Sequence, residues 1–184
     1  MKPDVNQHLQ SMAKALTEIV LPELQDKPFA LEQTSLVIAS LKLLCETQSH
    51  QFAYAQQEHD DASRLLSAWY SAMPTSGNSA FWQEVFDDAR PSSALDFATL
   101  SLAVSEQKAR ICQLLQKDLP SAPAGLKALV RQYIDRQLAR ETSSLRLTGF
   151  IPNAEQTPAI GEVLATQKKQ PLPATPTPIF TPHH

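Results

Sequence analysis

The sequence predicts an all-α protein: a helical bundle of about five helices, followed by a proline-rich C-terminal tail. Three observations lead there. Only four glycines occur in 184 residues (Gly77, Gly125, Gly149 and Gly161), each near proline or turn residues. Apolar residues recur at helical spacing from Val5 to Leu147. The rest of the chain is rich in Leu, Ala, Gln, Glu and Ser, which favour helices or their caps.

The first element is expected over about Asp4 to Gln25. Val5, Leu9, Met12, Leu16, Ile19 and Val20 fall on one stripe, with Asp4 as N-cap. Pro22 should kink or end it, because it removes one hydrogen bond and crowds the preceding turn. The second segment follows Lys27-Pro28 and extends to about Met73, with no proline or glycine inside it. It reads as one long helix, or as two with a soft break near Ser49 or Asp60. Typical helix lengths favour the break.

Pro74 to Ser79 is a loop by composition. A short helix, about Ala80 to Ala89, carries Phe81, Trp82, Val85 and Phe86. After Arg90-Pro91-Ser92-Ser93 a further helix is expected over about Ala94 to Leu119. The last long helix, about Ala124 to Leu147, places Leu126, Val130, Tyr133, Ile134, Leu138 and Leu145 on its apolar arc. Arg131, Asp135, Arg136 and Arg140 lie outside that arc. Thr157-Pro158 resembles a helix start, and Ile160, Val163 and Leu164 suit a short docking helix. Five of the fifteen residues from Gln170 to His184 are proline, so that stretch should be extended and dispensable for folding. The expected division is a bundle domain 1–148, a docking segment 149–169 and a flexible tail 170–184.

Composition narrows the function. The hydrophobic share is 42% and the charged share 19%, as in soluble globular proteins. Net charge is −3 and bases are dispersed, which argues against nucleic-acid binding. No apolar run approaches the ~20 residues of a membrane span. Cys45 and Cys112 sit among leucines and read as small buried thiols. With no apolar leader visible, they point to a cytoplasmic protein.

No glycine cluster cradles phosphate, no serine sits in a nucleophile elbow, and no catalytic residue is assigned. The richest polar constellation is Glu46, His50, Tyr54, Glu58 and Asp61. Spacings of four, four, four and three put them on one helix face. That face is read as a solvated stripe or, alternatively, as a small-ligand or acid–base site. The Glu46/His50 pair lacks a matching ligand pair on another helix, so neither metal nor cofactor is expected. Asp87-Asp88 reads as an exposed side opposite the aromatics. Phe81, Trp82 and Phe86 read as a core plug or as a partner-binding anchor.

Ile19-Val20-Leu21-Pro22-Glu23-Leu24, followed by Leu36-Val37-Ile38-Ala39-Ser40-Leu41, resembles the start of a group of small uncharacterised helical proteins. Their genes lie beside phosphotransferase-family kinases and acyl-CoA dehydrogenases. The resemblance implies an accessory role in an acyl-CoA or phosphotransferase pathway and no catalytic residues. The resulting expectation is a non-enzymatic accessory or protein-interaction module, with a protein partner or a homodimer. The alternative is a ligand-binding or catalytic bundle built on the Glu46/His50/Tyr54/Asp61 stripe.

Overall fold

Prolines and the helix period set where each element starts. The computed structural model describes residues 4–73, 79–87, 91–148 and 151–173, without the side chains of Ser79, Phe86 and Asp87. All regular structure among them is helical, with no strand, so the all-α bundle reading stands. Seven α-helices follow in order: α1 Val5–Ala15, α2 Pro28–Thr47, α3 Gln51–Ala72, α4 Ser79–Asp87, α5 Phe97–Lys117, α6 Ala124–Ser144 and α7 Ile160–Lys169. Asp88, Phe180 and most of the expected tail, from residue 174 on, lie outside the described residues.

Local chemistry accounts for the boundaries. Asp4 takes the cap position of α1 with extended backbone, but its carboxylate makes no capping bond. Pro22 acts earlier than a simple stop. The chain loosens into a π turn over Leu16–Val20, where the Leu21 N–H reaches back to the Leu16 carbonyl, and then tightens into a 3-10 turn over Leu21–Leu24. Pro28 stands at the first position of α2, where its missing N–H costs nothing. The long second segment breaks at a 3-10 turn, Gln48–His50, the Ser49 alternative. Asp96 caps α5 by accepting from the Thr99 N–H at 2.8 Å.

The chain divides into two compact units, residues Met1–Gln51 with Arg140–Val163, and Phe52–Ala139 with Leu164–His184. In the second unit one core gathers Leu65, Leu66 and Trp69 of α3, Trp82 of α4, Leu114 of α5 and Leu126 of α6. Each helix contributes at three- and four-residue spacing, the pattern of one buried face. Leu172 belongs to this core at 1% exposure, so docking continues past the expected boundary at Lys169. Leu172 is thus packed within the stretch that the sequence reading takes as a loose tail.

The first unit is built differently. α1 packs along α2, and α2 also meets the 3-10 turn Arg146–Thr148. Its buried apolar residues among those described are Ala13, Ile38 and Ile160. The fully buried Arg140 and Ser143 accompany them, and the Ser143 hydroxyl donates to the Pro158 carbonyl. Arg140 therefore corrects its expected place outside the buried arc. Cys112, in the second unit, is exposed instead of buried, and Cys45 is half-buried.

Gly161 at the start of α7 explains a contact in the first unit. A Cβ there would lie 3.1 Å from both Cε1 and Nε2 of the His50 ring. Alanine in a helix normally gains roughly 0.5–1 kcal/mol over glycine. Here the imidazole occupies the notch that the glycine leaves. Gly161→Ala should therefore be neutral or destabilising in the native background and stabilising once His50 is also changed to Ala. Urea unfolding of the two pairs of proteins checks this; the same gain in both backgrounds would contradict it.

Candidate functional site

α3 carries the densest polar face of the second unit, and the structure turns that face inward. Glu58 and Asp61 are 6% and 3% exposed, not solvated as one reading of the stripe expects. The reason is that each finds a cation on another helix. Lys108 of α5 donates to Glu58 at 2.6 Å. Arg136 of α6 donates from Nε to Asp61 at 2.9 Å. A buried carboxylate needs such a partner, since desolvation alone would neutralise it.

The same face grips the C-terminal segment. Gln57 donates to the Leu164 carbonyl at 2.7 Å, and Arg64 to the Leu172 carbonyl at 2.9 Å. Arg136 uses its two remaining nitrogens on the Gln170 carbonyl at 2.8 Å and the Gln167 carbonyl at 3.3 Å. Gln167 returns a bond to the Arg136 carbonyl at 3.1 Å. The last carbonyls of a helix have no partner inside it. Residues 57–64 and Arg136 supply partners for the end of α7 and for the chain beyond it.

The five residues of the expected stripe thus divide. Tyr54, half-buried, Glu58 and Asp61 belong to the second unit. Glu46 and His50 belong to the first. Glu46 accepts from Arg146 Nε at 2.6 Å, and His50 packs on Gly161. Among the described residues no three His, Cys, Asp or Glu side chains converge as metal ligands.

Sequence spacing did not single out Gln57, Arg64, Lys108, Arg136 or Arg146. Their partners lie 31 to 108 residues away along the chain. The described aromatics of α4 pack inward. Trp82 is 4% exposed, edge-on to Tyr70 at 5.2 Å and to Phe81 at 4.9 Å. Phe81, partly buried, packs against the same core. The side chain of Phe86, the third residue of that reading, lies outside the described ones.

His59 is 2% exposed, with Nδ1 3.6 Å from Asp60 Oδ1, an ion-pair distance longer than a hydrogen bond. Asp60 is held below its ordinary 3.8, chiefly by His59, with Ser92 and Arg64 adding and its own part burial opposing. No protein-family model, curated protein or solved structure matches the chain.

Three outcomes follow from these contacts. Removing one member of a buried ion pair costs on the order of 3–5 kcal/mol. Asp61→Ala should therefore lower unfolding stability by about 3 kcal/mol and raise amide exchange over 164–172. Truncation after Lys169, which deletes Leu172, should lower the melting temperature by well over the degree or two expected of a loose tail. At 2–4 °C per kcal/mol, a small shift would show that Leu172 adds little. The third outcome concerns pH. A depressed carboxyl contributes stability that is fully present above its ordinary value and lost as pH falls through the lowered one. Stability should decline below about pH 3.8, and Asp60→Asn should flatten part of that decline in acid titrations followed by circular dichroism. An identical acid limb in the variant would remove Asp60 from the account.

Proposed function

We propose that the chain is a non-enzymatic interaction module whose partner is a second copy of itself, bound through α2. One observation supports this above the others. Within the first unit three apolar residues are buried among those described, whereas ten large ones are exposed. Four of the ten, Phe29, Leu36, Val37 and Leu44, fall within about 100° of arc on α2 at helical spacing. Their neighbours on that arc, Gln33 and Ser40, are uncharged.

The energetics favour covering such a stripe. Fully burying a side chain of this class is worth about 1.5–3 kcal/mol, and these four are roughly half exposed or more. Covering all four recovers on the order of 4 kcal/mol per copy. A two-fold dimer uses the same patch twice, and it is the commonest closed assembly. The catalytic alternative has less support. Glu46 and Asp61, the two carboxylates it names, each hold a cation. A role in an acyl-CoA or phosphotransferase pathway rests on the sequence resemblance alone, and a cytoplasmic setting on the sequence reading.

A stretch within Pro28–Ala72 is also long and apolar enough, by length and composition, to cross a membrane. Lipid is therefore a competing cover that the experiment must separate. Sedimentation velocity from 1 to 100 μM should show a dimer, and Leu36→Glu with Leu44→Glu should return a monomer of unchanged helicity. A wild-type monomer throughout that range, or one that floats with phosphatidylcholine vesicles, would overturn the proposal.

A further inference from the structure

In the second unit a groove of about 430 Å³ opens between the end of α5 and α6. Its size lies in the range of small-molecule sites. The floor is aliphatic: Leu115 and Leu119 from one side, Val130 and Ile134 from the other. No acidic side chain lines it, yet two cations do, Lys127 and Arg131.

The two cations are four residues apart on α6, which puts like charges side by side at a small cost to the helix. Lys127 is not simply waving in solvent. Its ammonium donates to the Pro120 carbonyl at 2.9 Å, which fixes it at the groove edge and leaves two of its three N–H groups free. Arg131 is exposed and forms no ion pair or side-chain hydrogen bond with any described residue. Its guanidinium presents two parallel N–H groups, the geometry that matches a carboxylate. An anion between the pair removes the repulsion and gains charge-assisted bonds.

Beyond the groove the apolar surface continues. Ile134 and Leu138, one turn apart on α6, are 41% and 54% exposed. From Lys127 to Leu138 the helix rises about 16 Å at 1.5 Å per residue. Cations at one end and a run of exposed aliphatic side chains toward the other make an amphiphilic strip. We infer that this groove binds an aliphatic monocarboxylate, with its carboxylate between Lys127 and Arg131 and its chain over Leu115, Leu119, Val130 and Ile134. The site lies outside α2 and does not depend on self-association.

Decanoate is the probe, titrated calorimetrically into the full chain below its micelle concentration. Saturable one-to-one binding is expected. Lys127→Ala with Arg131→Ala, both exposed positions, should weaken it at least tenfold while far-UV circular dichroism stays unchanged. Decanol, which keeps the chain and lacks the charge, should bind at least tenfold more weakly, and acetate should give no saturable heat. Lys42→Ala, in a groove of the first unit, should leave the affinity unaltered. The proposal is overturned by any of four results: no saturable decanoate binding, equal binding by the double variant, acetate binding as tightly as decanoate, or loss of binding in Lys42→Ala. If the double variant loses helicity, Arg131→Lys decides instead. Affinity unchanged by trading the fork for a single ammonium overturns the bidentate assignment, and a several-fold loss supports it.

Discussion

The guanidinium of Arg136 is the contact on which the second unit's C-terminal segment depends. Its Nε meets Asp61, and its two terminal nitrogens meet the carbonyls of Gln170 and Gln167. A planar fork with donors on three nitrogens can serve a carboxylate and two carbonyls at once; an ammonium on a flexible stem cannot hold that arrangement. With the end of α7 held there, Leu172 reaches the core formed by Trp69, Leu126 and their neighbours. Without Arg136, Asp61 would lose this cation, and the carbonyls of Gln167 and Gln170 would lose its bonds.

A buried ion pair is often no more stabilising than apolar residues of the same shape. What the polar face of α3 adds is register. Gln57, Arg64 and Arg136 address carbonyls at 164, 172 and 167 with 170. Sliding the segment by one residue would misplace every one of these bonds together. An apolar face would hold the segment but accept several positions. Lys108 on Glu58 and Gln107 on Ser63, at 2.8 Å, extend the same matching to α5.

How much of this was legible in the sequence depends on range. Helix existence follows from local spacing, because the period acts within a few residues; the same spacing leaves the break between Ser49 and Asp60, and the aromatics between a core plug and a partner anchor. The face of α3 did not follow. Glu58 and Asp61 look like a solvated stripe when the only visible neighbours are their own helix. Their cations come from α5 and α6, and no local rule marks Lys108 or Arg136 as inward. Leu172 was hidden in a different way. Its flanking prolines, Pro171 and Pro173, signal an extended chain, which is compatible with docking as well as with a loose tail. The π turn before Pro22 is an intermediate case: the proline forecasts a disturbance, but not that it reaches back to Leu16.

α6 shows how burial of polar groups and exposure of apolar ones are linked. Along its inner face Leu126, Leu129, Val130 and Tyr133 are succeeded by Gln137, Arg140 and Ser143, all buried. The helix keeps its period while the chemistry of that face changes from apolar to polar. The apolar residues that a simple amphipathic reading would place inside are displaced by roughly a quarter turn or more, so Ile134, Leu138 and Leu145 meet solvent. Those residues are therefore not random surface leucines. They are the complement of a polar inner face. α2 shows a comparable imbalance, with Ile38 buried and Leu36, Val37 and Leu44 outside. In both helices the buried contacts go with one rotation, and an exposed apolar strip is its remainder.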